Sequence, residues 1–434
     1  MKLTDIAKKA LNVANGDKVD IIVTKTEESL TRFANSYIHQ NVKQTDGMVR
    51  IRVIKDGKTG IALTNSFDDE SVVNCAKKAN ELADLAVKDP QEFELPGKSE
   101  YKSIPASDEA TKKLSPDQRA DIVAKMVKIA DKDNLKIAGQ VSNSCYDFCV
   151  VNNNGVEIEH EEVSAKVSIT AMSDDSSGQA DMTAPRIGDI DAEKLATEAC
   201  GRAVQGRNPT SIDPGEFEVV MLPYATAEFL RYMIYTGLSA ESADSKRSWV
   251  EQNMGKKILS DKLTLIDDPF HPMGTQSFAD AEGYPKDALT LVENGVPKNI
   301  VFNSYFAAKM GRKNTGHATG GWGPFPINVT MNSGNTPVAD MIKSVKKGIL
   351  ISRFWYTNIM DPMTVQLTTM TRDGLFLIED GKVTKGLKNM RITDKVLRVY
   401  DGIIDVGDEL INTDGIVAPA VHLKSLNFSG STKY

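Results

Sequence analysis

Apolar residues recur along this chain with two different periods, and each change of period marks an element. "KVDIIVTKTEE" alternates with period two and predicts a strand. "SYIHQNVKQTDGMVRIRVIKDGKTGIALTN" alternates likewise, with Asp46-Gly47 and Asp56-Gly57 as hairpin signals. "DDESVVNCAKKANELADLA" shifts to helical spacing behind a first turn rich in acids. "SPDQRADIVAKMVKIADK" does the same, with Ser115 as cap and Pro116 at the first helical position. Two long strands, "KIAGQVSNSCYDFCVVNNNG" and "VEIEHEEVSAKVSITAMS", meet at Asn154-Gly155, and a third helix runs through "DAEKLATEACGRAVQG".

The segment "RNPTSIDPGE", Arg207 to Glu216, breaks both periods with two prolines, a glycine and several cap formers, so a domain boundary is expected there. Past it, "TAEFLRYMIYTGLSA" predicts a buried helix, because Phe229, Leu230, Met233, Ile234 and Leu238 share one face. "TPVADMIKSVKKG" predicts another, capped by Thr336-Pro337 and stopped by Gly348. The remainder is short strands and hairpins, with Asn294-Gly295 and Asp380-Gly381 as turn signals. The expected fold is α+β: an N-terminal α+β domain over residues 1–210, then a mainly antiparallel β domain over 211–434. The sequence shows no fixed-period repeat.

Composition narrows the class. The 434 residues, 41% hydrophobic and 26% charged, are those of a globular protein too long for one core. No run approaches the roughly 20 apolar residues that span a bilayer, and no apolar signal core follows the N-terminus, so a cytoplasmic protein without a membrane partner is expected. A net charge of −7 disfavours a nucleic-acid binder. The four cysteines, Cys75, Cys145, Cys149 and Cys200, suit a reducing compartment. Cys145 and Cys149 lie on one predicted strand, roughly 13 Å apart, too far for a disulfide.

Chemistry is sparse. Among His39, His160, His271, His317 and His422 the closest pair is 46 residues apart, so no helix presents two of them and HExxH is absent. Asp267, Asp268 and His271, with Asp280 and Glu282, are a candidate for a metal site assembled from loops; the same acids also suit ordinary turns. GxSxG is missing, and "DGKTG" is a turn rather than a phosphate loop. "NTGHATGGWGPFPINVTMNSGN" packs five glycines around His317 and Trp322, which could line a groove or sit in the core between sheets.

The ordered segments "DDP", "DAEGYP", "LVENGVPKNIVFNSYFAAKMGRKNTGHATGG", "NVTMNSGNTPVADMIKSVKKGILI" and "GLFLIEDGKVTKGLKNMRI" resemble the TldD/PmbA family of metallopeptidase-related proteins, once called modulators of DNA gyrase. The family's TldD kind of subunit carries HExxxH early in its C-terminal domain, with a cysteine near the C-terminus. Counted back from "RSWVEQNMGKK", that motif falls on "RYMIYT": Arg231 and Thr236 stand in place of the histidines and Tyr232 in place of the glutamate. An arginine repels a divalent ion, a tyrosine is a poor base at neutral pH, and no cysteine follows Cys200. The resemblance therefore implies the other, PmbA/TldE-like kind: no catalytic residue, metal or cofactor of its own, and a dimer, with a TldD-like subunit or with itself, around a chamber for peptide substrates. His317, Trp322 and His271 are the expected groove residues. The alternatives are a free-standing metal-dependent peptidase or hydrolase with a rebuilt site, and a homodimeric peptide-binding protein without activity.

Overall fold

The period-two runs at the N-terminus fold into strands of 16 to 19 residues. In the computed structural model, which describes residues 2–321 and 323–431, α1 (Leu3–Leu11) precedes a meander of β1 (Lys18–Ala34), β2 (Tyr37–Lys55) and β3 (Lys58–Thr64), closed by α2 (Asp69–Leu85). After the short α3 (Glu109–Lys112) the order repeats as α4 (Pro116–Asp131), β4 (Lys136–Asn152), β5 (Glu157–Met172), β6 (Ser177–Ala184) and α5 (Ala192–Gln205). β1 and β4 pair antiparallel from Asp20 opposite Asn152 to Phe33 opposite Gly139, which joins two copies of helix–meander–helix into one six-stranded sheet. The halves share an order of elements rather than a spacing of residues, so no period shows in the sequence.

Local chemistry explains the helix starts. The Asp68 carboxylate accepts from the Ser71 amide ahead of α2, and Ser115 and Gln118 form a reciprocal capping box ahead of α4. One turn signal misleads. β2 runs straight through Asp46 and Gly47, which face Thr26 and Lys25 on β1, and the chain reverses at Asn35-Ser36 instead. Gly47 answers a packing demand: a Cβ there would lie 2.4 Å from the Phe67 ring.

The second half contributes β7 (Gly215–Met221), α6 (Pro223–Gly237), α7 (Ala240–Asp244), β8 (Leu265–Asp267), β9 (Leu289–Glu293), β10 (Val296–Pro297), α8 (Ser304–Met310), β11 (Val329–Met331) and α9 (Val338–Ser344). β12 (Lys347–Asp361), β13 (Gln366–Glu379), β14 (Lys382–Gly386), β15 (Met390–Lys395), α10 (Val396–Asp401), β16 (Ile403–Thr413) and β17 (Ile416–Ser431) complete it. The neighbours β17, β15, β13, β12 and β7 close into a ring, because β7 pairs both with β12 and with β17. Asn294-Gly295 and Asp380-Gly381 are the left-handed turns of β9–β10 and β13–β14. Gly348 does not stop α9, which ends at Ser344; it lies inside β12, where a Cβ would come 2.5 Å from the Glu218 carbonyl of β7. The class is α+β with mostly antiparallel sheets, as the patterns predict. All four cysteines are free, Cys145 and Cys149 among them on β4. Among the described residues no helix is long and apolar enough to cross a membrane.

Candidate functional site

Helix α6 starts one residue after β7, with Pro223 at its first position, and its apolar face is buried as the spacing predicts. The Phe229 ring stacks on Phe354 of β12 with centroids 4.6 Å apart. The Tyr400 hydroxyl donates to the Thr226 carbonyl at 3.0 Å, and the Trp249 indole to the Met233 carbonyl at 2.9 Å. Gly237 leaves room for that indole, since a Cβ would lie 2.1 Å from it. Each wholly buried aromatic here contributes about 1.5–3 kcal/mol of apolar burial. The helix is held rigidly, and so is whatever its other face presents.

That face borders a groove of about 520 Å³. Arg231, Tyr232, Ile234 and Tyr235 form one wall; Phe325, Pro326, Ile327 and Val329, with Asp414 and Ile416, form the other. The lining is mainly apolar, and Tyr235 and Ile327 are more than half exposed. Its two charges differ in availability. Asp414 is engaged by Lys166. Among the described residues the Arg231 guanidinium reaches only the Thr413 carbonyl at 3.5 Å and Glu228 at 3.8 Å. The Tyr232 hydroxyl donates to the Thr357 carbonyl of β12 at 2.8 Å, and burial, aided by Glu228, pushes it further above its ordinary range, so it is no base at neutral pH.

The expected site residues are not all brought together. Thr236 does not face the groove: five residues turn an α-helix by about 140° from Arg231, so Thr236 is buried and its hydroxyl donates to the Tyr232 carbonyl at 2.7 Å. His317 is no groove residue either. Its side chain is fully buried, with Nδ1 2.9 Å from the Thr315 hydroxyl and Nε2 3.6 Å from Asp267 Oδ1, so it belongs to the core under the glycine-rich segment. His271 is half-buried outside the groove lining, its Nδ1 accepting from the Met273 amide at 3.3 Å; burial pushes it down, against Asp268. Trp322 lies outside the described residues.

The loop acids are likewise separated by their partners. Asp267 Oδ2 accepts from the amides of Ile327 (2.7 Å) and Asn328 (3.3 Å), which pins the far wall of the groove. Glu282 pairs with Arg52, and Asp280 accepts from three backbone amides, those of Glu282, Tyr284 and Ala318. Among the described residues, the group with ligand atoms close enough to share an ion is Cys145, Asp147 and Glu161 on β4 and β5, which no sequence motif suggests.

Burial, then the charge on Glu282, pushes Asp280 up to about 7 against its three amide bonds. The folded chain thus keeps a proton that the unfolded chain releases above about pH 4. Stability contributed by that proton is complete below pH 4 and declines as pH rises towards 7. Asp280→Asn is expected to flatten this slope in urea melts at pH 4, 5.5 and 7; an unchanged slope would place the proton elsewhere.

The fold is that of TldE from Thermococcus kodakarensis, with a TM-score of 0.89 at 22% identity over 99% of this chain and 100% of that one. Three sequence models of one family match in succession: PmbA/TldA metallopeptidase domain 1 at residues 19–83, the central domain at 109–207 and the C-terminal domain at 214–430. The chain belongs to the PmbA/TldD family. An uncharacterised protein of Methanocaldococcus jannaschii is 30% identical over 64% of this chain and 65% of its own length. Metalloprotease PmbA of Escherichia coli O157:H7 is 22% identical over 99% of this chain and 96% of its own.

Sequence reasoning missed most of the groove. Tyr235 was the findable residue, since it sits four after Arg231 on the same helix face. "PFPIN" carried no period, and Asp414 and Ile416 arrive from a turn nearly 180 residues away in the chain, so nothing local marked them.

Proposed function

We propose that this chain is the non-catalytic, PmbA/TldE-like subunit of a TldD/PmbA-type metallopeptidase complex in the cytoplasm. It holds unfolded or leader peptides while a TldD-like partner supplies metal and base. The observation that carries this reading is the helix itself: where the family's catalytic subunits would place histidine and glutamate, Arg231 and Tyr232 border an apolar groove. Support comes from the neighbouring strand. Among the described residues β12 beyond Ile351 pairs only with β13, so apart from the Thr357 carbonyl, which accepts from Tyr232, its other edge is free for an added extended segment, and Trp355, Tyr356 and Met360 on it are exposed.

The test is co-expression with an HExxxH-bearing relative from the same genome, followed by co-purification, elemental analysis and peptide cleavage. The expected result is a mixed complex with metal in the partner. Tyr235→Ala should lower turnover of an unfolded peptide by about tenfold without disturbing assembly. Stoichiometric zinc and peptidase activity in this chain alone would overturn the proposal, whereas self-association with peptide binding and no mixed complex would favour the homodimeric reading.

A further inference from the structure

A second cleft, apart from the groove, opens between the first sheet and the glycine-rich segment. Its outer part, about 530 Å³, is bordered by Lys18, Lys88, Phe93 and Tyr305 among others. An inner part of about 170 Å³ shares Arg52, Thr59, Asn303 and Gly321 with it. The inner floor is charged and buried: Asp20 is 1% exposed, Glu282 4% and Arg50 6%.

The acceptors of this floor are occupied. Arg52 donates to Asp20 and, at 3.2 Å, to Glu282, and Glu282 also accepts from the Ser304 amide at 3.0 Å. The donors are not. A guanidinium carries five N–H groups, yet among the described residues the one hydrogen bond of Arg50 runs from Nη1 to Asp20 Oδ1 at 3.4 Å. Asn303 uses its Oδ1 to accept from the Phe306 amide at 3.0 Å, which turns its NH₂ away from that partner and leaves it without another among the described residues. Gly320 and the exposed Gly321 line the pocket, and their amides donate to no described residue. Only glycine fits this approach: Gly320 has φ +81°, and a Cβ on it would lie 2.8 Å from Ile22. Folded proteins leave few buried donors unpaired. A partly open pocket whose buried floor holds spare donors and engaged acceptors suits an oxyanion.

We infer that the inner pocket binds the oxyanion group of a small molecule, a carboxylate or a phosphate, with Arg50 as the principal binding residue and Asn303 and the glycine amides as further donors. The outer cleft, with the Phe93 and Tyr305 rings edge to face at 5.7 Å, takes the rest of the ligand. This inference stands apart from the peptide groove and from any partner.

The experiment is thermal melting of the full chain with inorganic phosphate, with acetate, and with chloride at matched ionic strength. A saturable rise in Tm with phosphate or acetate, absent with chloride, is expected; which of the two anions gives it identifies the source of the group. Arg50→Met should raise the half-saturating concentration at least about tenfold. Its ligand-free Tm should fall modestly, because Asp20 loses Arg50 but keeps Arg52. Asn303→Asp keeps the cap of α8 but sets a negative oxygen against the anion, and should weaken binding to a similar degree. No saturable rise, an equal rise with chloride, or parent-like half-saturation in both Arg50→Met and Asn303→Asp would each overturn the inference.

Discussion

Gly178→Ala is expected to lower the unfolding free energy by about 3 kcal/mol or more, while Gly201→Ala is expected to raise it by about 0.5–1 kcal/mol. The two residues belong to the two elements of one contact, β6 and α5, but only Gly178 faces it. Gly178 is buried in β6, and a Cβ on it would lie 2.1 Å from the Ala199 carbonyl and 2.8 Å from the Ala203 amide of α5. Backbone cannot rotate away as a side chain can, so the helix must retreat by on the order of 1 Å from a close-packed interface. Gly201 is on the exposed face of that same helix with nothing within 4 Å of its Cβ position, so alanine there only removes backbone freedom from the unfolded chain. The internal repeat of the fold supplies a second trial: Gly60 in β3 meets the Ala79 carbonyl of α2 at the same 2.1 Å, and Gly60→Ala should match Gly178→Ala. Guanidinium unfolding of the three variants checks the pattern. Equal midpoints for Gly178→Ala and Gly201→Ala would mean that α5 does not rest on the sheet as described.

These glycines also show what the sequence could and could not disclose. Helices with a cap and a period, such as α2, α4 and α5, were legible because their signals are local. Gly47, Gly60 and Gly178 carry a different message, since each is required by a group distant in the chain: the Phe67 ring, α2 or α5. A dipeptide such as Asp46-Gly47 looks the same whether the glycine turns the chain or yields to a ring. His317 fails for a related reason. The glycines around it suit a groove residue and a core residue equally, and the core is decided by Asp267, fifty residues earlier, which comes within 3.6 Å of its Nε2. Arg231 and Tyr232, consecutive on α6, both border the groove, whereas Thr236, five residues after Arg231, is buried beside it. Arg50 and Arg52 alternate on β2 as the solvent side of a strand would; only the fold lays the glycine-rich segment over them.

Asp267→Ala is expected to cost about 3–5 kcal/mol and to loosen the far wall of the groove beside α6. The side chain is wholly buried at the end of β8, and it does two things from there. One oxygen fastens the Ile327 and Asn328 amides, which fixes Phe325 to Ile327 opposite α6. The other faces the His317 ring. Alanine would strand two amides and a buried imidazole at once, and each group so left costs about 1–3 kcal/mol. Burial pushes the Asp267 carboxyl up, but His317, then Lys286 and the Asn328 amide, hold it below the usual carboxylate range. A depressed folded pKa contributes stability that is complete above the unfolded value near 4 and is lost as pH falls through the folded one. The parent should therefore lose stability below about pH 4 by a limb that Asp267→Asn lacks. Asp267→Asn keeps an acceptor for the wall and should fall between parent and alanine at pH 7. Urea melts at pH 7 and pH 3, with an unfolded-peptide binding assay on the same variants, separate the two roles. An Asp267→Ala chain with the parent's midpoint at both pH values would show that neither the amides nor His317 depend on this carboxylate. Parent-like stability with weakened peptide binding would instead confine its role to the groove wall.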